Sequence, residues 1–119
     1  MSDPVLITKL KDSLLKGEIA VLCTVIEKKG HGPREVGSKM LVTEQGEHFG
    51  SIGGGSMERF LIEQALDVLK IGKCRTLHFA MGIPPREGMI AIDSQCGGEV
   101  KIFMDIIKTE PRLFVMGSG

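Results

Sequence analysis

Two glycine-bearing turns carry the residues best suited to chemistry. In the first, Gly53, Gly54 and Gly55 run into Ser56-Met57-Glu58 at the start of an amphipathic helical pattern. Glycines without Cβ atoms reach left-handed backbone angles and let a ligand approach closely, and the first N–H groups of a helix have no partner within it, so this spacing suits an anion. In the second, Cys96-Gly97-Gly98, the same backbone freedom follows a thiol; amides left open by those glycines would stabilise a thiolate and make Cys96 the reactive cysteine of the three. Between them in chemistry stands Arg34, stiffened by Pro33 in the loop Gly30 to Gly37, a guanidinium able to fork onto phosphate or a ring carbonyl. Glu58 suits the helix dipole and is a candidate acceptor for a ligand edge.

Each of these groups also has a purely architectural reading. The triple glycine can be a tight strand-to-helix turn, Cys96 can open a glycine bulge, and Arg34 can be a solvated side chain. His31 and His78 stand alone, with no ligand at metal spacing, and are read as a solvated loop residue and a strand residue facing water or a rim. Met40 and Met57 are read as core, as is Cys23.

The elements that must position these turns follow from periodicity. Ser2-Asp3-Pro4 opens a helix with Val5, Leu6, Leu10, Leu14 and Leu15 at helical spacing and Gly17 as its stop. Ile19 to Ile26 is a β-branched apolar run, a central strand covered on both faces. Lys39–Thr43 and Glu47–Ile52 form a hairpin around Glu44-Gln45-Gly46, and Ser56 to about Ile71 repeats apolar residues near every 3.6 positions. Arg75–Met81 is a strand, residues 82–88 with Pro84-Pro85 are irregular, and Val100 to Ile106 alternates as a half-buried strand. The expected fold is α+β: a mixed or largely antiparallel sheet, one long helix and an amino-terminal helix in a single domain.

Composition excludes several classes. Fifteen basic residues balance fifteen acidic ones, so no net field holds a nucleic acid. No run approaches the roughly 20 apolar residues that cross a bilayer, and the first residues carry no signal pattern, which predicts a cytoplasmic protein. Three widely spaced cysteines match neither a disulfide framework nor paired zinc knuckles. Residues 109–119 read as a linker followed by a short strand entering Gly117-Ser118-Gly119, where a dinucleotide fingerprint would begin but is not completed.

Three ordered motifs, Gly30-x-x-Pro33-Arg34-x-x-Gly37-x-x-Met40, then Gly50-Ser51-x-x-Gly54-Gly55-x-x-Glu58, then Cys96-Gly97-Gly98-Glu99, resemble the XdhC/CoxI family of molybdoenzyme maturation proteins. The resemblance spans Gly17 to Ile107, which makes residues 1–108 the family's amino-terminal module and residues 109–119 the linker and start of a truncated Rossmann-like domain. It implies an accessory factor without turnover that binds molybdenum cofactor (molybdopterin), protects it, and delivers it to a xanthine-dehydrogenase-like or carbon-monoxide-dehydrogenase-like apoenzyme, a molybdenum hydroxylase, with a cysteine-desulfurase-type protein as sulfur donor. Apart from the resemblance, a domain this small with several apolar strands is a candidate homodimer, although no heptad or symmetric pattern specifies how it would pair. Arg34, Gly53, Gly54, Gly55, Ser56, Glu58, Cys96, Gly97 and Gly98 would then line the cofactor, with Cys96 at its metal end. Many members place a cysteine where this sequence has Ser56, so a soft ligand is missing there, and the cofactor would be held either through its pterin and phosphate only or with Cys96 as the single thiol. Two other readings stay open: a nucleotide- or NAD-binding redox protein whose glycine turn grips a phosphate, and a non-catalytic interaction or oligomerisation module.

Overall fold

The computed structural model describes residues 4–31, 35–53 and 55–108. The expected helix cap at Ser2-Asp3, the candidate residues Arg34 and Gly54, and the expected linker and strand at 109–119 lie outside them. The order of elements is α1 (Pro4–Leu15), β1 (Ala20–Gly30), β2 (Lys39–Thr43), β3 (His48–Gly50), α2 (Gly55–Ile71), β4 (Arg75–Met81), β5 (Ile90–Ile92) and β6 (Gly98–Ile107). One six-stranded sheet runs in the order β3-β2-β1-β6-β4-β5. Every neighbouring pair is antiparallel except β4 and β5, so the sheet is mixed and the fold α+β, as the periodicity predicts.

The main core lies between α2 and one face of the sheet. Met57, Leu61, Ala65 and Val68 recur at the spacing that puts them on a single helix stripe, and all four are buried. They meet Val21, Cys23 and Val25 of β1, Val100, Ile102 and Met104 of β6, and Leu77, Phe79 and Met81 of β4. Met40 and Cys23 are fully buried there, as expected, and burial pushes the Cys23 thiol up to about 12. Arg75, the first residue of β4, ties the end of α2 to the sheet by donating to Gln64 Oε1 at 2.7 Å and Asp67 Oδ2 at 2.8 Å. Gly72 supplies the left-handed stop of α2 at φ 80°.

α1 covers less. Leu6 packs with Ala20 and Leu41 on the opposite face, while Val5, Ile7 and Leu15 stay exposed. The helical spacing of Val5, Leu14 and Leu15 therefore identifies the helix without identifying its buried stripe.

Three strands differ most from expectation, the first being β3, which is His48–Gly50 where Glu47–Ile52 is expected. β1 continues past the apolar run that ends at Ile26, through Glu27-Lys28-Lys29 to Gly30, because β6 supplies ladder partners as far as Gly98. β5 has no precursor in the periodicity: three residues, Ile90–Ile92, are too few to show alternation and are recruited by pairing with Phe79 to Met81. Both edge strands, β3 and β5, are three residues long, which leaves little open ladder for another chain to join.

Candidate functional site

The Cys96-Gly97-Gly98 turn sits where β1 and β4 end and β6 begins, since Gly98 is the register partner of both Gly30 and Met81. The approach is tight. A Cβ on Gly98 would stand 2.1 Å from the His31 carbonyl oxygen, and one on Gly30 would stand 3.0 Å from that of Gly97. The segment after β5 crosses the end of β4 just as closely: a Cβ on Gly82 would lie 2.0 Å from the Ser94 carbonyl oxygen. The Gly97 N–H donates to the Met81 carbonyl at 2.9 Å and the Gly82 N–H to that of Ile92 at 2.9 Å. Gly30, Gly82 and Gly98 are needed because one backbone runs against another. The crossing joins the Cys96 turn directly to Gly30-His31, which stand a few residues before Arg34 in the sequence.

The expectation of open amides at Cys96 is corrected. Its N–H donates to Ser94 Oγ at 3.0 Å, and the Gly97 N–H is used by Met81. What Cys96 offers a ligand is its sulfur, partly exposed and packed against the α2-side core.

α2 begins at this same end of the sheet and on the same face as Cys96. Phe60, in its second turn, stands edge-on to Phe79 with ring centroids 5.8 Å apart, and Phe79 is two residues from the β4 end that Gly97 bonds. Gly53 adopts φ 86°, the left-handed turn expected ahead of the helix, whereas Gly55 is already helical, with nothing within 4 Å of a would-be Cβ. Ser56 is exposed and lies inside the first turn, one residue past the start of the helix, so it does not occupy the capping position its type suggests.

Glu58 turns back on its own loop. Its Oε2 accepts from Ser51 Oγ at 2.5 Å and from the Ile52 N–H at 3.2 Å, and its Oε1 lies 3.7 Å from His48 Nε2. The carboxylate thus satisfies the backbone where β3 has ended and braces the glycine turn. This accounts for Glu58 within the fold.

Glu99, the last residue of the third motif, faces away from Cys96 because residues alternate along β6. It receives Arg86 at 2.8 and 3.0 Å and stands 3.0 Å from His78 Nε2. The Arg86 guanidinium first, then His78, holds its carboxyl down at about 2. His78 is accordingly half-buried, at a rim, with Glu99 as its partner. Periodicity identifies neither Arg86 nor this cluster, because the pairing joins a loop to two strands. A separate shallow hollow of about 260 Å³ between α1 and the β2–β3 hairpin mixes Lys9 and Lys16 with Asp12, Glu18 and Glu47, and holds none of the candidate residues. Among the described residues no three His, Cys, Asp or Glu side chains gather as a metal site, and no helix is long and apolar enough to cross a membrane.

Comparison with known proteins shows the family of the chain. Residues 13–80 match the XdhC and CoxI family. The chain is 36% identical over 98 residues to the uncharacterized protein YqeB of Escherichia coli K12, covering 82% of this chain and 17% of that protein. It is 29% identical over 106 residues to the molybdenum cofactor insertion chaperone PaoD of the same organism, covering 88% of this chain and 32% of PaoD. A crystal structure described as a xanthine dehydrogenase from Bacillus halodurans superposes with a TM-score of 0.70 at 25% identity, covering 89% of this chain and 30% of that one. The chain thus spans no more than about a third of the length of these relatives.

Proposed function

We propose that this chain, a member of the XdhC and CoxI family, serves in maturing molybdenum enzymes: it binds molybdenum cofactor and hands it to a molybdenum-hydroxylase apoenzyme, without turnover of its own. The observation that carries this reading is the meeting of the Cys96–Gly98 turn with Gly30-His31 at the sheet end and on the face where α2 begins. The cargo is a pterin with a sulfur-rich metal end and a terminal phosphate. Backbone of Gly53, Gly54, Gly55 and Ser56 receives the phosphate, Arg34 forks onto phosphate or a pterin carbonyl, and the Cys96 sulfur meets the metal end. Gly97 and Gly98 contribute by letting the turn lie against β1. Glu58 serves the site by holding the glycine turn through Ser51 and Ile52. In this reading the protein works in the cytoplasm, with a cysteine-desulfurase-type protein renewing the cofactor's sulfur, and pairs as a homodimer.

Purification from a cofactor-replete host tests the reading. Oxidative release should yield pterin fluorescence, reduced in Arg34→Ala and Cys96→Ser and unchanged by NAD or ATP in competition. A folded protein that releases no pterin, or that gives it up to NAD, would count against the carrier and for the nucleotide-binding alternative.

A further inference from the structure

Along β1 the alternation of faces is reset once. Val25 pairs with Ile102 and Glu27 with Lys101, so the register skips Ile26. A bulge of this kind reverses which face every later side chain occupies. Without it Lys28 would point to the face of Leu22 and Thr24. With it Lys28 pairs with Val100, which pairs in turn with Phe79, and these three share one row on the α2 side. Phe60 of α2 stands against the far end of that row, and Cys96 packs into the same core.

Lys28 is thereby a lysine whose side chain is 19% exposed, its stem laid along an apolar face. Its Nζ reaches Glu35 Oε2 at 3.3 Å, and that carboxylate is 88% exposed. The cation is held; its partner is not. An ion pair with so exposed a member is readily exchanged. A phosphate monoester, carrying about −1.5 to −2 at neutral pH, outcompetes a single carboxylate for a lysine point charge.

We propose that Lys28 is a further phosphate-binding residue of the cofactor site, and that Glu35 is the stand-in anion which the cofactor's terminal phosphate displaces. The assignment rests on the carrier reading above, and the test separates the two. The probe is the oxidised fluorescent pterin released from molybdenum cofactor, with its phosphate intact or removed by phosphatase, titrated into the intact chain. Lys28→Met, which keeps the apolar stem, should weaken binding of the phosphorylated probe about tenfold, the effect of losing one charge-assisted contact, and leave the dephosphorylated probe unchanged. Lys28→Arg should retain binding. Glu35→Gln, at an exposed position that cannot disturb packing, should tighten the phosphorylated probe alone. If wild type binds the phosphorylated probe and Lys28→Met binds it equally well, or Glu35→Gln leaves it unchanged, the Lys28 assignment is overturned while the carrier stands. Should wild type bind neither probe, the carrier reading fails and the assignment with it.

Discussion

Alanine at position 98 is the sharpest test of how the Cys96 turn is seated. The added Cβ would stand 2.1 Å from the His31 carbonyl oxygen, 2.6 Å from that of Lys29 and 2.8 Å from the His31 carbonyl carbon, where ordinary contact begins at 3.4 Å. All three are backbone atoms, so no rotamer change relieves the clash and the end of β1 must separate from the start of β6. Overpacking typically costs 1–3 kcal/mol, and a purely backbone obstacle puts Gly98→Ala at about 3 kcal/mol. For a domain of this size that lowers the melting temperature by roughly 10–15 °C. Two neighbouring substitutions calibrate it. Gly97→Ala meets nothing within 4 Å but must hold φ 72°, which costs about 1–2 kcal/mol. Gly55→Ala meets nothing, has no left-handed angle and sits in the first helical turn, so it should be neutral or stabilising by about 0.5–1 kcal/mol. Thermal melts followed by circular dichroism, with urea unfolding as a second measure, rank the three. Gly98→Ala melting within about 2 °C of wild type, or above Gly97→Ala, would refute the close seating of the Cys96 turn on His31.

The remaining predictions concern titration and thiol access. Glu99 has its carboxyl lowered from 4.5 to about 2 by Arg86 and His78, so its contribution to stability is present above pH 4.5 and is lost as pH falls through about 2. Acid unfolding of Glu99→Gln should therefore show a flatter pH dependence in that window than wild type; parallel curves would mean that the Arg86–Glu99–His78 cluster does not form. Of the three cysteines, Cys74 and Cys96 should react with a maleimide in the native protein at pH 8, whereas Cys23, fully buried with its thiol raised to about 12, should react only after unfolding. Mass spectrometry showing Cys23 labelled at the rate of Cys74 would contradict the core between α2 and the sheet.

The sequence by itself determined the elements whose signal is local. A 3.6-residue apolar period defines α2, alternation defines the second half of the sheet, and Gly17, Gly53 and Gly72 mark turns through left-handed backbone angles that they do adopt. The first two glycine motifs, which lie within the residues 13–80 that match the family, are legible in the same way, since each is a short string. What only the tertiary structure decided depends on pairing between distant segments. The single skipped residue at Ile26 sets which face Lys28 occupies, and it is a property of the β1–β6 ladder that β1 alone does not encode. β5 exists because β4 offers it an edge. Cys96 has its amide taken by Ser94, and Glu58 is spent on Ser51 and Ile52, although both look available to a ligand in one dimension. The physical reason is common to all of these. A buried polar group takes the nearest partner that the folded backbone brings to it, and sequence distance does not report which partner that will be.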